Sequence, residues 1–335
     1  VRRQDLPAQY QAEAPVRLDF AGGWTDVPPF SQREGGVVVN AAIRLYARAQ
    51  LETGGTLMRL VSEDLGETVE CANAGGLTLD GRLDLLKAGL RMFPVTGGFT
   101  LTTRCDAPPG SGLGSSGAMD VALVALLLRA RGERAAEREL AEHGWHLEAV
   151  EAAHPGGKQD QYAGALGGFN RLSFRDPDVG IEPLTLDAAF AAALERQIVV
   201  CYTGQSRVSG DTIRRVMNAY ERGDRAVTGA LRALRDVGEA MTEALRGADV
   251  GQVGSLLAEN WQRQQALDPG MRTTEMGRLE EAMRQAKVLG GKAAGAGAGG
   301  CMFFLGRDGK AAAAARAVGA TVLPVSWAWE GARAW

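Results

Sequence analysis

Residues 98–128, GFTLTTRCDAPPGSGLGSSGAMDVALVALLL, decide how the chain is read. GFTLTTRCD alternates at period two, as a half-buried strand does, and AMDVALVALLLRAR is a largely apolar run of helical length that enters a core. Between them Gly112, Gly114 and Gly117 alternate with Ser115 and Ser116. A strand, a glycine loop and a helix in that order bring pliable backbone to a helix N-terminus. Free N–H groups and a partial positive charge there attract an anion, and the expected ligand is phosphate. Ser115 and Ser116 fall on the first helical turn, where a hydroxyl can cap the helix or reach a metal held by phosphates. A plain strand-to-helix turn with a serine cap also fits the placement but needs fewer glycines.

Other phosphate loops fit less well. GxxxxGK[ST] is absent, since the Gly-Lys pairs at Lys158, Lys292 and Lys310 are followed by Gln, Ala and Ala. Gly112, Gly114 and Gly117 satisfy GxGxxG, but the region about 20 residues on, RGERAAERELAEHGW, is charged and helical where a dinucleotide fold needs a strand ending in an acid. Gly295, Gly297 and Gly300 match as well, in the reversed order of helix, loop and strand.

Outward from the loop, residues 14–21 and 35–49 read as strands joined by GGWTDVPPF, with short strands at 56–61 and 67–71 and a helix over 83–92. A helix is predicted over 135–153, then a glycine-rich loop, HPGGKQDQYAGALGGFN. Past about residue 187 come a strand at 197–202, helices over 208–222, 227–246, 250–267 and 271–289, a strand at 299–305, a helix at 309–318 and a last strand at 321–327. Strands and helices that do not alternate strictly point to an α+β chain, with a boundary near 175–197.

Composition narrows the function. With 335 residues the chain has room for about two domains. The 37 basic and 40 acidic residues nearly cancel, so no basic excess calls for nucleic acid. Glycine is the anomaly, at 45 residues, clustered where backbone-built loops are expected. Cys71, Cys105, Cys201 and Cys301 stand far apart with no CxxC pair, which argues for buried thiols of a reducing compartment over a zinc or redox motif. No apolar run reaches the ~18 residues of a membrane helix, and no signal-peptide run opens the chain, so a cytoplasmic setting without membrane contact is expected.

The acid-base candidates lie in three segments. Lys158 and Asp160 sit within GGKQDQYAGALGG, where a carboxylate beside a cation can accept a substrate hydroxyl proton, or where Asp160 is only a turn aspartate. Arg17, flanked by apolar residues, can pair with a buried acid or point outward. Glu148 and Glu151 share a helix face and either could ligate a hard cation. His143, His146 and His154 lack a third ligand of convincing spacing, and no GxSxG elbow supports a serine hydrolase.

Three segments together resemble the GHMP kinase superfamily: APVRLDFAGGWTD the first motif in its sugar-kinase form, PPGSGLGSSGAM the phosphate loop, and KAAGAGAGGCMFFL the third, a glycine loop that packs by the phosphate loop and active site. The resemblance spans about residue 14 to the end. It implies a two-lobed α+β fold, with a ribosomal protein S5 domain 2-like domain over 1–185 and a ferredoxin-like domain over 186–335. It implies ATP and Mg2+ as cofactors and a small-molecule sugar or sugar phosphate as partner, and leaves monomer or homodimer open. GGKQDQYAGALGGFN and CYTGQSRVSG look like the heptose-phosphate kinase branch, which phosphorylates C1, with fucokinase domains close by. Trp24 replaces a polar residue of galactokinases.

By this resemblance Asp160 is the catalytic aspartate and Arg17 assists the same hydroxyl. Pro109, Gly110, Gly112, Leu113, Gly114, Ser115 and Ser116 hold the nucleotide, and Ser116 with Glu148 meets magnesium, Glu151 being the fallback. Trp24, Thr25, Asp26, Lys158 and Gly297 are expected at the substrate; Arg207, placed near a helix N-terminus after the strand at 197–202, either contacts a phosphate on the substrate or is a solvated arginine beside a capped helix. Gly117 departs from the commoner alanine after the serines.

Overall fold

The computed structural model describes residues 8–205, 209–306 and 309–335. The first half runs β1 (Gln9–Ala21), α1 (Phe30–Arg33), β2 (Gly36–Thr53), β3 (Met58–Ser62), β4 (Glu67–Cys71), α2 (Asp84–Met92), β5 (Phe99–Cys105), α3 (Ser115–Ala130), α4 (Glu137–His146), α5 (Gln159–Leu166), β6 (Phe169–Arg175) and β7 (Asp178–Pro183). The second half runs α6 (Ala188–Gln197), β8 (Ile198–Tyr202), α7 (Ser209–Glu221), α8 (Arg225–Arg246), α9 (Val250–Gln265), α10 (Thr274–Gln285), β9 (Gly290–Ala293), β10 (Cys301–Leu305), α11 (Lys310–Ala317), β11 (Thr321–Leu323) and β12 (Arg333–Ala334).

One sheet has the order β12-β1-β2-β5-β3-β4, and β2 also carries β6, which pairs with β7. The long β2 does two jobs. Its first eight residues, GVVVNAAI, are buried throughout, with α3 and α8 both packed on the strand, whereas from Arg44 onward burial alternates as in a sheet with one wet face. Helix α3, buried along most of its length, lies on β1 and β2. It delivers the glycine loop at its N-terminus to the end of β5.

The second sheet has the order β11-β8-β10-β9, all antiparallel. Numbered by appearance that is 4-1-3-2, the ferredoxin-like order, as the resemblance implies. Helices α6, α8, α9 and α10 are N-capped by the side chains of Asp187, Asp224, Asp249 and Thr273. The chain then crosses back, and β12 pairs antiparallel with β1, Ala12 opposite Ala334.

Several elements differ from the sequence reading. The helix expected over 135–153 ends at His146 and passes into a wider, π-type turn over Leu147–Glu151. Residues read as a glycine-rich loop contain α5, and GGKA, which runs into the third glycine motif, forms β9. The β6–β7 hairpin and α6 went unread. The last predicted strand stops at Leu323, because Pro324 has no N–H to continue the ladder.

Helix α9 rests directly on β9: a Cβ placed on Gly290 would stand 1.8 Å from the carbonyl oxygen of Gly254. Both atoms belong to rigid elements and neither can yield. Gly290→Ala is therefore expected to destabilise the protein by about 1–3 kcal/mol, the usual cost of overpacking. A urea denaturation midpoint indistinguishable from wild type would contradict this contact.

Candidate active site

A cleft of about 250 Å³ opens where the two sheets meet, lined by the first-motif loop, the glycine loop before α3, the segment leading into α5, and the third glycine loop. Its centre is Arg17 on β1. The Arg17 guanidinium donates through Nε to Asp160 Oδ1 at 2.7 Å and through Nη1 to the carbonyls of Gly112 at 2.7 Å and Ala294 at 2.8 Å. One buried side chain thus ties together the catalytic candidate, the phosphate-loop candidate and the third glycine loop. The Arg17 backbone N–H also donates to the Leu113 carbonyl, which fixes the loop to β1.

Glycine is required at the turns themselves. Gly110, Gly112 and Gly114 all adopt left-handed backbone, with φ of 66°, 73° and 73°. A Cβ on Gly295 would fall 2.4 Å from the Gly112 carbonyl oxygen, so the two glycine loops touch backbone to backbone. Gly117, the departure noted in the sequence, lies where a Cβ would come 2.5 Å from Cβ of Asp160, and its absence lets α5 approach α3 closely.

Asp160 stands in the first turn of α5, its side chain partly open to the cleft. Facing the same space, Ser116 Oγ donates to Glu148 Oε1 at 2.6 Å, and Gln161 Nε2 donates to Glu148 Oε2 at 2.7 Å. Burial raises the Glu148 carboxyl above its ordinary value, with a smaller push from Asp160. Behind it, burial and the charge of Glu148 push Asp120 well above the carboxylate range. A hydroxyl and a carboxylate converging beside a helix N-terminus form an all-oxygen set, the chemistry that suits magnesium. Among the described residues no three His, Cys, Asp or Glu side chains converge on one point, so such an ion would complete its shell with phosphate and water.

The first-motif loop enters the cleft with Trp24 in left-handed backbone, φ 82°. Asp26 is buried and lines the cleft, and its Oδ2 accepts the Gln159 backbone N–H at 3.0 Å. Burial is the main cause that lifts its pKa to about 7. A Cβ on Gly157 would meet Asp26 Oδ2 at 1.9 Å, so the approach segment must be glycine there.

Sequence reading and structure diverge at several residues. Asp160 is paired with Arg17, not Lys158. The Lys158 ammonium turns away, to Glu142 at 2.8 Å and the ring of Trp145 at 4.5 Å, and does not line the cleft. Thr25 is fully buried and clasps its own loop, bonding the Gly22 carbonyl and the Val37 backbone. Pro109 is exposed and Leu113 is core, so neither side chain lines the cleft, though Gly110, Gly112, Gly114, Ser115, Ser116 and Gly297 do. Glu151 faces His146 at 3.5 Å outside the cleft, which leaves Glu148 as the glutamate within it. Arg207 lies outside the described residues.

The structure adds residues that the sequence reading passed over. Asp19 lines the cleft two positions after Arg17 on the same strand, so the alternation of strand side chains already put the two on one face. Its Oδ2 and its backbone carbonyl both accept from Lys292 Nζ at 2.6 Å. Lys292 is wholly buried, and burial lowers its pKa while Asp19 counters. Gln159 also lines the cleft.

Residues 82–168 match the GHMP kinases N terminal domain and residues 241–323 the GHMP kinases C terminal domain. The chain is 30% identical over 305 residues, 88% of each protein, to D-glycero-alpha-D-manno-heptose 7-phosphate kinase of Campylobacter jejuni. It is 28% identical to the bifunctional fucokinase/GDP-fucose pyrophosphorylase of Arabidopsis thaliana, covering 91% of this chain and 30% of that protein. The crystal structure of a D-glycero-D-manno-heptose 1-phosphate kinase from Bacteroides thetaiotaomicron superposes with a TM-score of 0.80 at 26% identity, covering 97% of this chain and 98% of that one.

The raised Asp26 carboxyl has a measurable consequence. The folded protein holds this proton more tightly than the unfolded chain, whose carboxyl titrates near 3.8. Ionising Asp26 therefore costs stability progressively from about pH 4 to about pH 7, and by a constant amount above. Asp26→Asn keeps the acceptor for the Gln159 N–H and removes that cost. Urea denaturation is expected to show the variant gaining on wild type by more at pH 8 than at pH 5. An equal difference at both would place Asp26 among ordinary carboxylates.

Proposed function

The chain belongs to the GHMP kinases, which are ATP-dependent phosphotransferases, and on that premise we propose that it phosphorylates C1 of D-glycero-D-manno-heptose 7-phosphate to the 1,7-bisphosphate, a step towards nucleotide-activated heptose. The observation that carries the reading is the pairing of Arg17 with Asp160 opposite the glycine loop and the Ser116–Glu148 pair.

The residues divide the work as follows. The glycine loop and the first turn of α3 receive the ATP phosphates on backbone N–H groups. Asp160 orients the acceptor hydroxyl and takes its proton as the oxygen attacks the γ-phosphorus and the bond to ADP breaks. Arg17 holds that carboxylate in line while gripping the loop that carries the phosphates. Ser116 and Glu148 would hold magnesium, which when bound neutralises charge on the phosphate oxygens. Phosphoryl transfer leaves the protein mostly positioning and charge neutralisation to do, and Arg17 serves both.

A second reading, a kinase of an unphosphorylated sugar such as the free heptose or L-fucose, is favoured by the charge of the cleft. Among the described residues its lining holds Asp19, Asp26, Glu148 and Asp160 against Arg17 as the one cation, and Arg17 is already paired. Arg207 is the residue assigned to a remote phosphate under the first reading.

Coupled-assay turnover of heptose 7-phosphate, free heptose and L-fucose decides between the two. Arg207→Gln is expected to raise KM for heptose 7-phosphate about tenfold or more and barely move that for free heptose. Better turnover of an unphosphorylated sugar would select the second reading.

Asp160→Asn should lower kcat by about 10²–10⁴ with nucleotide binding intact. A folded variant of near-normal kcat would remove Asp160 from the chemistry. Glu148→Gln should raise the magnesium concentration for half-activity more than Glu151→Gln does; the opposite ranking would put the metal at the other glutamate.

A further inference from the structure

We propose that Asp19 and Gln159 join Asp26 in a wall of acceptor oxygens that reads the donor hydroxyls of the sugar, and that Lys292 is the positioning residue that fixes Asp19 for this task. The proposal rests on the sugar-kinase reading and adds the residues that choose among sugars.

Three observations converge. Asp19, Asp26 and Gln159 all line the cleft and all are buried. Asp19 Oδ1, Asp26 Oδ1 and Gln159 Oε1 are buried acceptors that find no donor among the described residues. A buried polar atom without a partner is destabilising and uncommon, and three acceptors in one cleft wall call for a ligand that brings donors.

The two carboxylates are also held from behind. Asp19 Oδ2 is gripped by the Lys292 ammonium and Asp26 Oδ2 by the Gln159 N–H, so the free oxygens cannot turn away without breaking those bonds. The backbone beside each carboxylate is cut back to glycine: a Cβ on Gly23 would stand 2.1 Å from Asp19 Oδ2, and one on Gly157 would stand 1.9 Å from Asp26 Oδ2.

The chemistry of the wall defines what it takes. Several hydroxyls on one face of a sugar supply donors to all three oxygens. An alcohol carrying its own carboxylate supplies few donors and sets a negative charge against Asp19 and Asp26. The wall therefore passes polyols and rejects hydroxy acids. Lys292 lies on β9, so the second sheet sets the position of a specificity group carried by the first.

The test compares wild type, Gln159→Met and the double variant Asp19→Leu/Lys292→Met, which removes the acceptor with the charge, on the best sugar of the panel above and its single-deoxy analogues. Replacing Asp19 and Lys292 together leaves no buried charge without a partner. Each variant is expected to raise KM for the parent sugar about tenfold or more, with the loss falling on KM and not on kcat, and with KM for ATP unchanged. Each is also expected to lose the wild-type preference for the parent over one particular deoxy sugar, because that hydroxyl no longer has its acceptor. If the double variant does not fold, Gln159→Met carries the test, since it changes no charge.

Folded variants with unchanged sugar KM would overturn the proposal, as would an equal loss across every deoxy sugar, the mark of a merely structural role. If wild type phosphorylates no sugar at all, the sugar-kinase reading has failed and this inference falls with it. If wild type phosphorylates a sugar and the variants match it, only the inference has failed.

Discussion

The site depends on one guanidinium. Arg17 is almost wholly buried, and a buried cation is tolerated only where its donors are matched. Here the matches are a carboxylate and two carbonyls drawn from three separate stretches of chain: Asp160, Gly112 and Ala294. Desolvation makes this arrangement all-or-none. Moving any acceptor away leaves donors stranded, so the glycine loop, the third motif and α5 are held at fixed distances by the same requirement. The close backbone contact of Gly112 with Gly295 is the steric counterpart of that electrostatic demand.

A second buried pair repeats the pattern two residues along. Arg17 reaches Ala294 while Asp19 meets Lys292, so β1 is joined to β9 and the residue after it by two polar contacts at matching spacing. Buried ion pairs contribute little net stability against a well-packed apolar alternative, because each ion gives up its hydration. What this pair contributes is registration. An apolar contact between the sheets could slide by a fraction of an ångström; an ammonium bonded at 2.6 Å to both the carboxylate and the carbonyl of Asp19 cannot.

Much of this was legible in the sequence, for identifiable reasons. The β5–loop–α3 unit is local: period-two alternation, clustered glycines and an apolar run all lie within about thirty residues, and each carries its own physical meaning. Asp160, Arg17, Ser116 and Glu148, named from motifs in separate short stretches, are brought together at one cleft. The failures are of two kinds. Lys158 was matched to Asp160 by nearness in sequence, but one side chain points to Glu142 and the other to Arg17, a distinction set by the helical turn of α5. Asp19 and Lys292 were passed over because their partnership joins residues far apart in the chain. Glycine-rich composition hid α5 and β9, since tertiary contact, not propensity, holds GGKA extended.

The pairing of β12 with β1 has a consequence for biogenesis. One edge of the strand that carries Arg17 is covered at Gln11–Glu13 by Arg333, Ala334 and Trp335, whose backbone exchanges two hydrogen bonds with Gln11, while further along the Arg17 N–H donates to the Leu113 carbonyl. During synthesis that edge of β1 has its final partner only once the ribosome has passed Ala334. Until then a nascent chain presents an open strand edge, the kind of surface that recruits unwanted strands from neighbouring molecules.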